Sequence, residues 1–147
     1  MSSVQDVQRF LSLENGLATV STAQVDGGIL SSVVNCGVIP HPITKDLCVA
    51  FVSIGEAARL KHVKRGSKVT IAVRREWKWI SVSGQANLFG PENLPENFDT
   101  ESLRLLLREV FIAAGGTHEN FEEYDDAMTS EKRVGVCVEI ERILGNT

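Results

Sequence analysis

The sequence predicts a mainly β fold with helices, an α+β arrangement in which six strands form a compact barrel. Three observations carry this. Six segments show the two-residue alternation or the short apolar run of a strand, against four with a helical period. Strands follow one another directly at residues 17–24, 29–38 and 47–53, and again at 68–74 and 78–89, so the strand–helix alternation of a doubly wound sheet is missing. One helical stretch, residues 55–65, crosses between the two groups of strands.

In chain order, Ser2 or Ser3 is a candidate cap for a short amphipathic helix over residues 4–14, where Val4, Val7, Phe10 and Leu11 recur at helical spacing. Asn15-Gly16 stops it. Residues 17–24 alternate and are rich in Thr and Val, which favour strands. Val25-Asp26-Gly27-Gly28 is a hairpin signal, and residues 29–38 return. After a connection holding Pro40 and Pro42, residues 47–53 form a nearly unbroken apolar strand. Residues 55–65 then carry Ala58, Leu60 and Val63 on one side and Arg59, Lys61 and Lys64 on the other, and Gly66-Ser67 ends the helix. Strands at 68–74 and 78–89 follow, with Arg75-Glu76-Trp77 linking them. A loop over 90–99 leads to a helix over 101–113 capped by Thr100, a second short acidic helix over 118–128, and a last strand over 134–143. No linker or repeat divides the chain, so residues 1–147 are expected to form a single domain.

Composition narrows the function. A chain of 147 residues with a 43% apolar fraction can bury a core without disulfide or metal. The net charge of −4 argues against a nucleic-acid binder. Cys36, Cys48 and Cys137 are odd in number and lack metal-ligand spacing, so buried free thiols in a reducing cytoplasm are expected, with no zinc. No signal-peptide pattern opens the sequence, and no apolar run reaches the roughly 20 residues of a membrane span.

Three features carry possible chemistry. Arg59, Lys61, Lys64, Arg65 and Lys68 gather on and just beyond the crossing helix, which suits either a phosphate group or a solvated basic face. Trp77-Lys78-Trp79 puts two indoles on one face of a strand, fit for sandwiching a flat ring, for a dimer interface or for core packing. Ser32 lies mid-strand, either bonding the edge of a heteroaromatic ring or satisfied as a buried serine. His41 and His118 read as surface residues on loops. No catalytic nucleophile, phosphate-cradling glycine loop or carboxylate pair stands out, so any chemistry belongs to a cofactor.

Four stretches then carry a resemblance. They are Gly16 to Thr22 with Asp26-Gly27, the basic run Ala58 to Arg65, Trp77 through Val82-Ser83-Gly84-Gln85-Ala86, and Tyr124 to Met128 followed by Lys132-Arg133-Val134. In order and spacing they resemble the pyridoxamine 5'-phosphate oxidase-like FMN-binding split-barrel family, and within it the subgroup dependent on the deazaflavin coenzyme F-420. The resemblance spans roughly residues 10–145. It implies a homodimer with cofactor sites at the subunit interface. Arg59, helped by Lys61, would bind the cofactor phosphate. Ser32 and Ser53 would face the cofactor, Leu30 and Asn35 would line the same groove, and Trp77 or Trp79 would come from the partner subunit. Where the family helix ends in Asn-Leu-Arg-Arg-Asp-Pro, this chain reads His62-Val63-Lys64-Arg65-Gly66-Ser67, keeping the positive charge and losing the asparagine and proline.

The resemblance therefore implies a cytoplasmic oxidoreductase that passes a hydride from coenzyme F-420 to a small unsaturated substrate. An FMN-binding protein of the same fold is the first alternative. A non-catalytic module for a cofactor or tetrapyrrole is the second.

Overall fold

The computed structural model describes residues 2–147. Its elements run α1 (Val4–Leu13), β1 (Leu17–Ala23), β2 (Ile29–Pro40), β3 (Leu47–Ser53), α2 (Ala58–Lys64), β4 (Val69–Arg75), β5 (Lys78–Gly84), β6 (Ala86–Phe89), α3 (Thr100–Ala113), α4 (Phe121–Ser130), β7 (Val134–Glu139) and β8 (Arg142–Gly145). None of the described helices is long and apolar enough to cross a membrane.

The helix starts follow their caps. The Ser3 hydroxyl accepts from Asp6 N and the Asp6 carboxylate returns the bond to Ser3 N, closing a capping box. Asp99, not Thr100, caps α3 through Ser102 N at 2.8 Å. Asn120 caps α4, so that helix begins three residues later than the acidic pattern implies. α2 is shorter than the expected 55–65, because residues 54–57 form a turn in which Ala57 N bonds Ile54 O.

All the strands are antiparallel, in the order β6-β7-β3-β2-β1-β4-β5-β8. Eight strands are hydrogen-bonded, rather than the six expected. The difference lies in two long predicted strands, 78–89 and 134–143, each of which is interrupted. β6 pairs β7 with Ala86 opposite Val138, and β5 pairs β8 with Ser83 opposite Arg142. Between these ladders two residues, Gly84 and Gln85, face three, Glu139 to Glu141. That is a bulge, and it bends the strand. Glu139 N bonds Gln85 O at 2.9 Å and Glu141 N bonds Ser83 O at 3.1 Å, which carries the pairing across the break and curls the sheet onto itself. Gly84 is required here, because a Cβ at this position would run into the Glu139 carbonyl.

Strand β2 holds the key to the architecture. Its first half pairs β1, from Ile29 opposite Ala23 to Asn35 opposite Leu17. Its second half pairs β3, from Cys36 opposite Phe51 to Pro40 opposite Leu47. Before Cys36 the strand no longer pairs with β3, so the two diverge and leave a split in the wall. Inside the curl, Val20, Cys36, Val49, Phe51, Ile71, Ile80 and Val136 pack with Phe10 and Leu11 of α1. Outside it, α3 and α4 set Leu103, Leu106, Leu107, Val110 and Tyr124 on Ala50, Cys48 and Cys137. Strand β3 is thus buried on both faces, which accounts for its unbroken apolar run.

Candidate functional site: a cationic split beside an apolar cleft

Arg59 enters the split from the first turn of α2. Its Nη1 donates to Ser53 Oγ at 3.0 Å and its Nη2 to Ser32 Oγ at 2.7 Å. Ser32 lies on β2 and Ser53 on β3, so one guanidinium ties together the strands where they part. It also lies over the Phe51 ring, 5.9 Å from the centroid. The guanidinium is half-buried, and burial draws it below its ordinary value. No carboxylate pairs with it among the described residues. Below it, burial pushes the Cys36 thiol up to about 12, against the favourable pull of the Arg59 charge. A desolvated cation with two neutral acceptors and spare N–H groups has the chemistry to accept an anion.

On the outer side of the same split lies a cleft of about 370 Å3. Val34 and Asn35 of β2, Val52 of β3, Phe111 of α3, and Tyr124 and Met128 of α4 form most of its wall, with Arg133 at one side. Its volume is that of a small-molecule site. The Tyr124 hydroxyl donates to Leu107 O at 2.9 Å, and burial, then Asp125, pushes it up to about 12, so it stays protonated.

Of the residues expected from the sequence, Ser32, Ser53 and Arg59 converge within hydrogen-bond reach, and Ser53 is only 1% exposed. Leu30 shares the inward face of β2 with Ser32. Asn35 does not join them. It is five residues from Leu30 on a strand of period two, so it faces the outer side, where its Nδ2 donates to Asn15 O at 2.9 Å. Lys61 is exposed and makes no hydrogen bond to Ser32 or Ser53. Lys68 lies beyond the helix end and is bound to Glu141 at 2.9 Å.

The two indoles part company as well. Trp77 is not on the strand. It occupies the tip of the β4–β5 hairpin after Glu76, whose φ of 56° makes the tight turn, and it is 94% exposed. Trp79 does lie on β5, on the outer face beside Arg74. That outer face is open. Val33, Thr19, Ala72, Ser81 and Leu144 run across it as one cross-strand row, with Val33 62% exposed.

His41, expected at the surface, is buried. Its Nδ1 accepts from the backbone N–H groups of Ile43 and Thr44, which fixes the proton on Nε2, and Nε2 donates to Asn87 Oδ1 at 2.8 Å. The flanking prolines do mark a turn, but one that folds the imidazole inward. His118 is exposed, as expected.

The cleft residues Phe111, Tyr124, Met128 and Arg133 were not among the sequence candidates. One of the four stretches that carry the family resemblance reaches this cleft, since Tyr124, Met128 and Arg133 all fall in the last one.

No family model matches this sequence. Solved structures do match in shape. A conserved hypothetical protein, Rv2991 of Mycobacterium tuberculosis, is similar over 99% of this chain and 84% of its own, at 17% identity and a TM-score of 0.66. A candidate pyridoxamine 5'-phosphate oxidase of Lactobacillus delbrueckii is similar over 95% and 91%, at 15% identity and a TM-score of 0.57. The heme storage protein HutZ of Vibrio cholerae is similar over 98% and 94%, at 13% identity and a TM-score of 0.59. The fold is a split barrel of the pyridoxamine 5'-phosphate oxidase-like kind. In this split barrel the gap between β2 and β3 is where the unpaired guanidinium and the apolar cleft come together.

Proposed function

We propose that this split barrel is a homodimeric, flavin-dependent oxidoreductase that binds a phosphorylated flavin ring at the β2–β3 split. The observation that carries the reading is Arg59, a half-buried cation held by Ser32 and Ser53 with no carboxylate beside it. A phosphate monoester supplies the missing charge through charge-assisted hydrogen bonds. The cleft lined by Val34, Val52 and Tyr124 supplies apolar walls for a flat ring. When bound, the flavin supplies the hydride chemistry. The chain's own part is to fix the phosphate through Arg59, to shield the ring from water with the α3 and α4 side chains, and to orient it against substrate.

Val33 belongs both to the cleft wall and to the open row on the outer face. The cleft therefore opens toward the surface that a second copy would cover. A partner laid on that face would bring its hairpin, with Trp77 and Trp79, toward the same region.

FMN is favoured over coenzyme F-420 here, because the similarity to a candidate pyridoxamine 5'-phosphate oxidase supports it. It is also favoured over haem. Histidine is the proximal ligand of haem iron in globins and peroxidases, and none lines the cleft among the described residues.

The test is a parallel titration of the purified protein with FMN, F-420 and hemin, followed by ring fluorescence or absorbance, with the mass measured by light scattering. Saturable FMN binding to a dimer is expected. A monomer that takes up none of the three sinks the assignment, and hemin uptake alone reassigns the site.

A further inference from the structure

A second cavity, of about 340 Å3, lies between α3, α4 and the loop before α3. Its floor is apolar: Leu94, Leu103, Leu107 and Met128. Met128 and Arg133 also line the cleft at the split, so these two side chains form the partition between the two compartments.

The charges around this second cavity are not equivalent. Arg104 has its Nε and Nη2 on Glu101 and its Nη1 on Asp125 at 3.2 Å. Asp125 in turn holds Arg108, with Arg108 Nε at 2.9 Å. That cluster satisfies itself. Arg133 does not. Only its Nε is used, on Glu131 at 2.8 Å, and neither Nη group has a protein partner among the described residues. Its side chain is 26% exposed. Its charge is close enough to Tyr124, on the far side of the partition, to act on that hydroxyl. A fork of N–H groups left free at the edge of an apolar chamber matches a carboxylate on an apolar body.

We propose that this chamber is the substrate compartment, that it takes an apolar carboxylic acid, and that Arg133 binds the carboxylate and so sets the specificity. The apolar body lies on Leu94, Leu103 and Leu107, and the partition at Met128 is where it meets whatever the neighbouring cleft holds. Calling the ligand a substrate rests on the flavin reading; the binding site does not.

The test uses phenylbutyrate and its uncharged analogue phenylbutanol, titrated by calorimetry into the full chain without added flavin. Wild type is expected to bind phenylbutyrate saturably, and more tightly than phenylbutanol. Arg133→Gln should weaken phenylbutyrate about tenfold, the loss of roughly one charge-assisted bond, and leave phenylbutanol unchanged. Thr129→Trp, at an exposed position on the chamber rim, should weaken both without disturbing packed side chains. Equal losses for acid and alcohol in Arg133→Gln, or no saturable binding of either by wild type, overturn the proposal. FMN uptake without phenylbutyrate uptake removes this chamber and keeps the flavin reading; phenylbutyrate uptake without FMN uptake does the reverse.

Discussion

Arg59 and Ser32 lie 27 positions apart in sequence, yet the guanidinium Nη2 and the serine Oγ are 2.7 Å apart across the gap between β2 and β3. The bond joins the first turn of α2 to the middle of β2. It holds the cation at the point where the wall opens, rather than letting it swing into solvent as Lys61 does.

Arg59→Ala should weaken FMN binding by about 1.5–3 kcal/mol, the usual worth of a hydrogen bond to a charged group. Fluorescence titration of the variant beside wild type measures it, with the far-ultraviolet circular dichroism of both compared as a control on folding. An unaltered dissociation constant takes Arg59 out of the site.

The attachment of α4 to α3 should weaken in acid. The Asp125 carboxyl is held below the ordinary carboxylate range chiefly by the hydrogen bonds from Arg108, with those from Arg104 adding and burial opposing. A group whose pKa falls on folding stabilises the fold above its unfolded value and loses that contribution as pH drops through its folded value. The urea midpoint of wild type should therefore fall more steeply below about pH 4 than that of Asp125→Asn, which has no such charge to lose. Parallel slopes for the two proteins would show that the pair contributes nothing.

The three thiols should be silent in the native protein. Cys36, Cys48 and Cys137 are free and each is at most 1% exposed. Since the thiolate is the reactive form, a buried Cys36 pushed up to about 12 reacts only on opening. Ellman's reagent should label none in buffer and all three in denaturant. Rapid native labelling of any one would mean that its surroundings open readily.

Gly37→Ala should destabilise the fold by about 1–3 kcal/mol, the range for overpacking. Gly37 lies on β2 where the end of α3 crosses it, and an added Cβ would meet the backbone and Cβ of Ala113. A lowered thermal midpoint is the expected readout, and the FMN site, on the other side of Cys36, should keep its affinity.

Much of this architecture was legible in the sequence, and the failures have physical causes. Period-two alternation and, at residues 47–53, an unbroken apolar run located the strand regions, while the grouping of Arg59 with Ser32 and Ser53 came from the family resemblance. The break at Gln85 and at Ile140-Glu141 was not read, because its one mark, Gly84, does not say which strand lies opposite. Trp77 was assigned to the strand by alternation alone, whereas the backbone at Glu76 turns one residue earlier. His41 looked exposed because prolines flank it, yet its ring replaces water with Asn87 and two amides from its own loop. The apolar chamber was not legible at all, because α3, α4 and the loop before α3 meet there only through tertiary packing.

Glu141 sits at the bulge, where its carboxylate accepts from Gln85 N at 2.5 Å and from Lys68 Nζ at 2.9 Å. Just past it, the four residues of β8 and then Asn146, which exchanges hydrogen bonds with Trp79, cover this flank of β5. If this short tail peels back, β5 presents a bare row of amides and carbonyls, a template on which a foreign strand can zip. Glu141 and Asn146, at the two ends of β8, therefore pin the segment that keeps this edge of β5 covered.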